Sequence, residues 1–170
     1  MNAESSKKIF NSLQTKQRAN EFLRFHNLVV TLPHRVGDIN FEELVRDMFK
    51  NGDPSWLEVT RQELPGFLSS DVKKIDTEVL DAVKSMIENS NQVKVEMSFE
   101  PSNQFINDFI NILKSNLKSF PDKGFIVDFD VISGMDAGAR FYANGKFLDL
   151  TIKNQVENYL ISNDVVNRYI

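Results

Sequence analysis

Apolar positions change rhythm once along this chain. Up to about residue 90 they recur at three- and four-residue intervals, the period of helices that bury one face. Residues 5 to 26 have helical composition without a clean stripe. Ile9, Phe10 and Leu13 share a face, Phe22, Leu23 and Phe25 form a second cluster, and polar QTKQRAN lies between them. That arrangement predicts a helix packed only at its ends, or an extension awaiting a partner. LVVTLPHRVGD, closed by Pro33 and Gly37, reads as a connector or a short strand. NFEELVRDMFKNG predicts a helix. Asn40 and Glu43 suit a capping box, Phe41, Leu44, Val45, Met48 and Phe49 form the stripe, and Gly52 and Pro54 stop it. WLEVTRQELPGFLSS is ambiguous, because Pro65 and Gly66 break any helix there. A further helix is expected from about Asp76, with Val79, Leu80, Val83, Met86 and Ile87 buried and ENSNQ as its end.

Beyond residue 91 the period falls to two. Val93, Val95, Met97 and Phe99 alternate with Lys94, Glu96 and Ser98, which predicts a half-buried strand. Pro101 and Ser102 open a helix with a wide apolar face made of Phe105, Ile106, Phe109, Ile112, Leu113 and Leu117. After the FPDKG turn, Phe125, Val127, Phe129 and Val131 alternate against Ile126, Asp128 and Asp130 in a second strand. SGMDAG is a loop. Ala139, Phe141 and Ala143 begin a third strand, and Phe147 and Leu148 lie in a fourth. Asn144-Gly145 between them is a strong type I′ turn signal, since both residues tolerate positive φ. A last helix from Thr151 places Ile152, Val156, Tyr159 and Leu160 on one face.

The expected fold class is therefore α+β. A helical N-terminal part, residues 1 to 90, precedes a β-α-β-β-β-α domain, residues 91 to 170, with a small mixed sheet. Both parts lie within domain size limits.

Composition narrows the function more than it defines one. Of 170 residues 41% are hydrophobic, 14 of them Phe, so there is ample material for a core. The net charge of −4 removes any general attraction to nucleic acid or anionic membrane. With no cysteine, disulfides, thiolate metal sites and cysteine nucleophiles are excluded. No secretory signal is visible at the N-terminus, and no apolar run approaches membrane-helix length. A cytoplasmic protein is expected, peripheral at most to a membrane complex.

Candidate chemistry is sparse. His26 and His34 do not share a helix face as a metal pair would. Neither a phosphate-binding glycine loop nor a nucleophile elbow is present. The aromatic residues fall on the apolar side of their patterns with little basic interleaving, so core packing explains them better than nucleic-acid stacking. Asp128, Asp130, Asp136 and Asp149 form the one acidic set of interest. Carboxylates on adjacent strands can hold a pair of divalent cations for phosphoryl transfer, although a solvated sheet face explains the same alternation.

The stretch GARFYANGKFLDLTIKNQVENYL and the residues before it resemble the C-terminal domain of the δ subunit of F-type ATP synthases, called OSCP in mitochondria. VKVEMSF looks like the first strand of that domain, SNQFINDFINILKSNL like its amphipathic helix, and FIVDFDV like its second strand. Ala137-Gly138 falls on a paired-glycine turn, ARFYANGKFLD on a hairpin, Asp149 and Thr151 on an Asp-small-Ser/Thr element, and IKNQVENYL on a closing helix. Ala137 and Leu150 depart from the glycine and the small residue usual there. The resemblance covers residues 92 to 161, and the same pattern recurs in the E subunit of V-type ATPases and in regulators of flagellar and type III export ATPases.

The resemblance implies a non-catalytic peripheral-stalk or adaptor subunit without cofactor or metal, whose partners are other protein subunits. The C-terminal domain would hold the end of a stalk helix and the helical front the ATPase head. The membrane would be reached only through the complex. Exposed residues of the amphipathic helices, Phe22, Phe25 and the tail DVVNRYI would supply contacts. Gly138, Asn144, Gly145, Asp149 and Thr151 would have structural duties: close backbone approach, turn formation and helix capping. Two other readings stay open: a metal-dependent phosphodiesterase or nuclease using Asp128, Asp130, Asp136 and Asp149, and a small regulatory protein-binding domain.

Overall fold

A computed structural model describes residues 2–31, 45, 47–49, 54–64, 75–116 and 124–162. The chain divides into two units, Met1–Ser90 and Asn91–Ile170. The fold is α+β: helices come first, and a four-stranded mixed sheet follows.

In the first unit the described helices are α1 (Asn2–Ser12), α2 (Lys16–Thr31), α3 (Ser55–Glu63) and α4 (Thr77–Glu88). The single N-terminal helix expected from the sequence is two. Thr15 lies at the joint between them: its hydroxyl accepts from the Arg18 amide at 3.3 Å and its carbonyl from Ala19 at 2.9 Å, capping the start of α2. Neither helix is packed only at its ends. Ile9, Phe10 and Leu13 are buried from α1 side, and Ala19, Phe22, Phe25, His26 and Val29 along α2. Phe22 and Phe25 are fully buried, so they belong to the core and are not contact residues. The run Leu28–Thr31, expected to be a connector or strand, is the last turn of α2. The ambiguous WLEVTRQE stretch is helix α3, entered at Pro54 and closed before Pro65. Of the helix expected over residues 40–52, Val45, Asp47 and Met48 are helical and Phe49 is in a turn; the other positions lie outside the described residues.

Trp56 centres this core. Its ring meets Phe22, Phe25 and Phe49 edge-on at 5.7, 5.8 and 5.6 Å. Edge-to-face contact sets the positive ring edge on the negative face, worth about 1 kcal/mol per pair beyond area burial. The indole N–H donates to Glu21 at 3.1 Å, so the buried ring leaves no unpaired donor. Asp76 caps α4 by accepting from the amides of Glu78 and Val79. Val79, Leu80, Val83 and Ile87 of α4 are buried as expected, whereas Met86 is only half-buried.

The second unit contains β1 (Asn91–Met97), α5 (Asn103–Asn116), β2 (Phe125–Val131), β3 (Ala139–Ala143), β4 (Lys146–Asp149) and α6 (Ile152–Ser162). The strand order is β2-β1-β3-β4. β1 and β2 are parallel, which requires a crossover, and α5 supplies it. β3 runs antiparallel to β1, and β4 antiparallel to β3. Val93, Val95, Met97, Phe125 and Val127 share one sheet face and form the core with Ile110 of α5. Phe105, Ile106, Phe109 and Leu113 pack against it, and Phe109 stacks on Phe141 at 5.7 Å. Each such side chain taken fully from water contributes about 2 kcal/mol. Ser102 caps α5, its hydroxyl accepting from the Phe105 amide at 3.1 Å.

Four positions differ from the expected patterns, among them Val131 at the end of β2, which is exposed. β1 ends at Met97, so Phe99 lies beyond the strand and is half-exposed, edge-on to Phe105. Ile112 faces away from the sheet and is exposed. Ile126, on the polar face of β2, is buried. Leu117 lies outside the described residues.

Candidate functional site

The stretch from Ala137 to Asn154 forms a closed corner. The turn comes first. Asn144 and Gly145 have φ of 50° and 72°, the paired left-handed conformation of a type I′ turn. This turn sets the register Ala143↔Lys146, Tyr142↔Phe147, Phe141↔Leu148 and Arg140↔Asp149. The chain then passes Gly138 again. Leu150 donates its amide to Ala139 at 2.9 Å and Ile152 to Ala137 at 2.7 Å, straddling the glycine. Gly138 has φ +127°, and a Cβ there would fall 2.6 Å from the Thr151 Cα. Only glycine fits that approach.

Asp149 and Thr151 then begin the last helix. The Asp149 carboxylate accepts from the Thr151 amide at 2.9 Å and from Arg140 Nε at 3.3 Å. The Thr151 hydroxyl accepts from the Asn154 amide at 3.4 Å, and the Asn154 side chain donates to the Asp149 carbonyl at 2.8 Å. These bonds hold the Asp149 carboxyl below its ordinary range, first through the Thr151 amide, then through the Thr151 hydroxyl and Arg140. Of the five residues given structural duties, Gly138, Asp149 and Thr151 meet in this corner, while Asn144 and Gly145 form the turn at the other end of the hairpin.

The polar sheet face carries a second network. Lys94 Nζ lies 2.8 Å from Glu96 and 3.4 Å from Asp130, and the Tyr142 hydroxyl donates to Glu96 at 3.1 Å. The Glu96 hydrogen bond, then that of Asp130, raise the Lys94 ammonium above its usual pKa. Lys94, helped by Tyr142, holds the Glu96 carboxyl below its usual pKa.

The four candidate aspartates do not converge. Asp130, Glu96, Arg140 and Asp149 lie in one row across the sheet, so Asp130 and Asp149 are three strands apart. At about 4.8 Å per strand their backbones are roughly 14 Å apart, too far to share a cation pair. Asp128 lies one row away beside Lys94, and Asp136 is in the exposed loop before β3. Among the described residues no group of three His, Asp or Glu side chains is placed to hold a metal ion. Each acidic residue of the row has instead a cation beside it.

Large apolar side chains stand exposed along the hairpin and its helix. Phe147, Leu148, Leu150, Ile152 and Val156 are each 41% to 57% exposed. Through residue 158, every side chain of α6 is exposed except half-buried Asn154. Alternation and helical period predict which face such residues occupy but not whether anything covers that face. The Arg140–Asp149 pair was similarly unrecognised, although the Asn144-Gly145 turn already implies that these two residues lie opposite each other.

Compared with known proteins, the chain matches no family model and no curated protein. Among the described residues no helix is long and apolar enough to cross a membrane.

Proposed function

We propose that this chain is a non-catalytic adaptor of the peripheral-stalk kind, which tethers a rotary or export ATPase by gripping another polypeptide with its second unit. The supporting observation is the exposed apolar series Phe147, Leu148, Leu150, Ile152 and Val156, carried on a corner whose polar groups are nearly all engaged internally. An α-helix of 11 residues is marginal in water unless something packs on it. Ile152 and Val156 lie one turn apart on one side of α6, the spacing a partner helix can cover. The corner fixes where that helix starts. Its Asp149 carboxylate and Thr151 hydroxyl are engaged in starting that helix, and a tether needs no reactive group.

The resemblance of residues 92 to 161 to δ-type C-terminal domains supports one kind of partner, the end of a stalk helix, with the helical first unit holding the ATPase head. On this reading the protein works in the cytoplasm, binds no nucleotide and reaches the membrane only through its complex. The aspartate-based hydrolase has no comparable support, because its four carboxylates are dispersed and two of them are ion-paired.

The experiment is affinity capture of the tagged full chain from its own cells, beside an Ile152→Glu/Val156→Glu variant. Recovery of ATPase catalytic subunits and a stalk subunit with the wild-type chain, and loss of the stalk subunit with the variant, supports the reading. A folded wild-type chain that recovers neither overturns it and leaves the regulatory-domain reading.

A further inference from the structure

Helix α6 carries its apolar side outward. Its half-buried residue is polar: Asn154, whose side chain donates to the Asp149 carbonyl at 2.8 Å. At about 3.6 residues per turn, the midpoint between Ile152 and Val156 lies about 180° around the helix from Asn154. Those two are 57% and 50% exposed, so the helix turns a polar side to its own unit and its apolar side away. An amphipathic helix that packs on its own core does the reverse. Two charges, Lys153 and Glu157, flank the outward stripe on one side, and both are exposed. Uncharged Gln155 and Asn158 flank the other. Among the described residues neither Lys153 nor Glu157 has an ion partner. Lysine four residues ahead of glutamate is also the weaker order for a pair within one helix.

This arrangement is complementary to itself. In an antiparallel pair of α6 helices about a two-fold axis level with Gln155, like flanks meet and run in opposite directions. Lys153 is then level with Glu157 of the second copy, and Glu157 with Lys153 of the second copy. At about 1.5 Å of rise per residue, Ile152 and Val156 alternate along the seam with Val156 and Ile152 of the second copy, at roughly 3 Å intervals. One register therefore forms both ion pairs and interleaves the apolar residues. A parallel pair would set the charged flank against Gln155 and Asn158 and leave both charges unmatched. We propose that the free chain pairs with a second copy of itself through this face, α6 against α6 and antiparallel. Charge complementarity selects that occupant and its direction. The contact is isologous, so it closes at a dimer. The dimer rests on the face alone. That a stalk helix takes the same stripe, so that the dimer must open before assembly, rests on the adaptor reading.

The test is sedimentation of the full chain at low salt over a wide range of concentration. A reversible monomer–dimer equilibrium is expected, and Ile152→Glu/Val156→Glu should stay monomeric with an unchanged thermal midpoint. Lys153→Glu alone, or Glu157→Lys alone, should weaken the dimer about tenfold, since each turns two attractive contacts into repulsive ones. An equal mixture of those two variants should pair at about wild-type strength, because each supplies the charges that the other lacks. The double exchange Lys153→Glu/Glu157→Lys should do the same. A chain that is monomeric throughout, or a dimer indifferent to these exchanges, overturns the inference. Single exchanges that weaken the dimer without rescue by mixing overturn it too. Monomeric behaviour with intact capture of ATPase subunits removes only the dimer. A rescued dimer without such capture removes only the adaptor reading. Where both hold, chains carrying two different tags should co-purify from the free pool and not in the ATPase-bound fraction; co-purification in that fraction overturns the competition.

Discussion

Gly138 lies so close to Leu150 that a Cβ built on the glycine would fall 2.5 Å from the Leu150 carbonyl oxygen. The obstacle is backbone on both sides, and φ at Gly138 is +127°, so a side chain there meets strain and collision together. Gly138→Ala should therefore destabilise the second unit by at least about 2 kcal/mol in urea unfolding. Gly134, with φ +81° and open space around it, is the control. Gly134→Ala should cost about 1 kcal/mol, from backbone strain alone. Equal effects would show that the corner can open without consequence.

Acid should loosen the same corner. The folded Asp149 pKa is depressed, by the Thr151 amide first. A depressed carboxylate contributes stability that is present above its unfolded pKa. That stability is lost as pH falls through the folded pKa. The stability difference between wild type and Asp149→Asn should be present at neutral pH and shrink to nothing in acid below the ordinary carboxylate range. Urea midpoints recorded across that range measure it, and a difference independent of pH would contradict the assignment.

In the first unit His26 is buried and its Nε2 lies 2.6 Å from Asp81, while Nδ1 has no partner among the described residues. Asp81→Ala would leave both ring nitrogens without a protein partner. A loss of about 1 to 3 kcal/mol is expected. Once His26→Leu has removed the polar ring, adding Asp81→Ala should cost almost nothing. This double-mutant cycle is checked by denaturant unfolding, and additive losses would mean that the two residues are not coupled.

Surface positions of α6 should separate folding from gripping. Ile152 and Val156 are 57% and 50% exposed. Ile152→Glu and Val156→Glu should each change stability by less than about 0.5 kcal/mol, the ordinary range for surface substitutions. Partner capture should nevertheless fall. A large drop in thermal midpoint would show that α6 packs on its own unit.

Divalent cations should leave the protein unmoved. A site for Mg²⁺ or Mn²⁺ in the folded state would raise the thermal midpoint by mass action. With Asp130 and Asp149 three strands apart, millimolar Mg²⁺ should produce no increase. A clear rise would revive the carboxylate chemistry.

The elements that were legible in the sequence depend on neighbours a few residues apart. Alternation at Val93, Val95 and Met97 marked β1, Asn144-Gly145 marked the hairpin, and Asp76 and Ser102 mark the starts of helices that the structure caps with those side chains. Local φ/ψ preference and side-chain period act over a turn or a pleat, so a linear pattern carries them. The duties of Gly138, Asp149 and Thr151 were legible too, because the hairpin between them is short and its register follows from its turn.

What distant segments do to one another had no linear record. Composition suggested a single N-terminal helix, while Thr15 divides it and lets Phe22 and Phe25 meet Trp56 in the core, beyond any partner's reach. The alternating aspartates looked like a possible cation site, and the strand order β2-β1-β3-β4 decided otherwise by placing two strands between Asp130 and Asp149. Exposure of Phe147, Leu148, Leu150, Ile152 and Val156 was likewise settled only by folding. The sequence by itself determined which residues are apolar and which elements they build. Tertiary structure alone decided which apolar faces found cover, because burial depends on where the rest of the chain comes to lie.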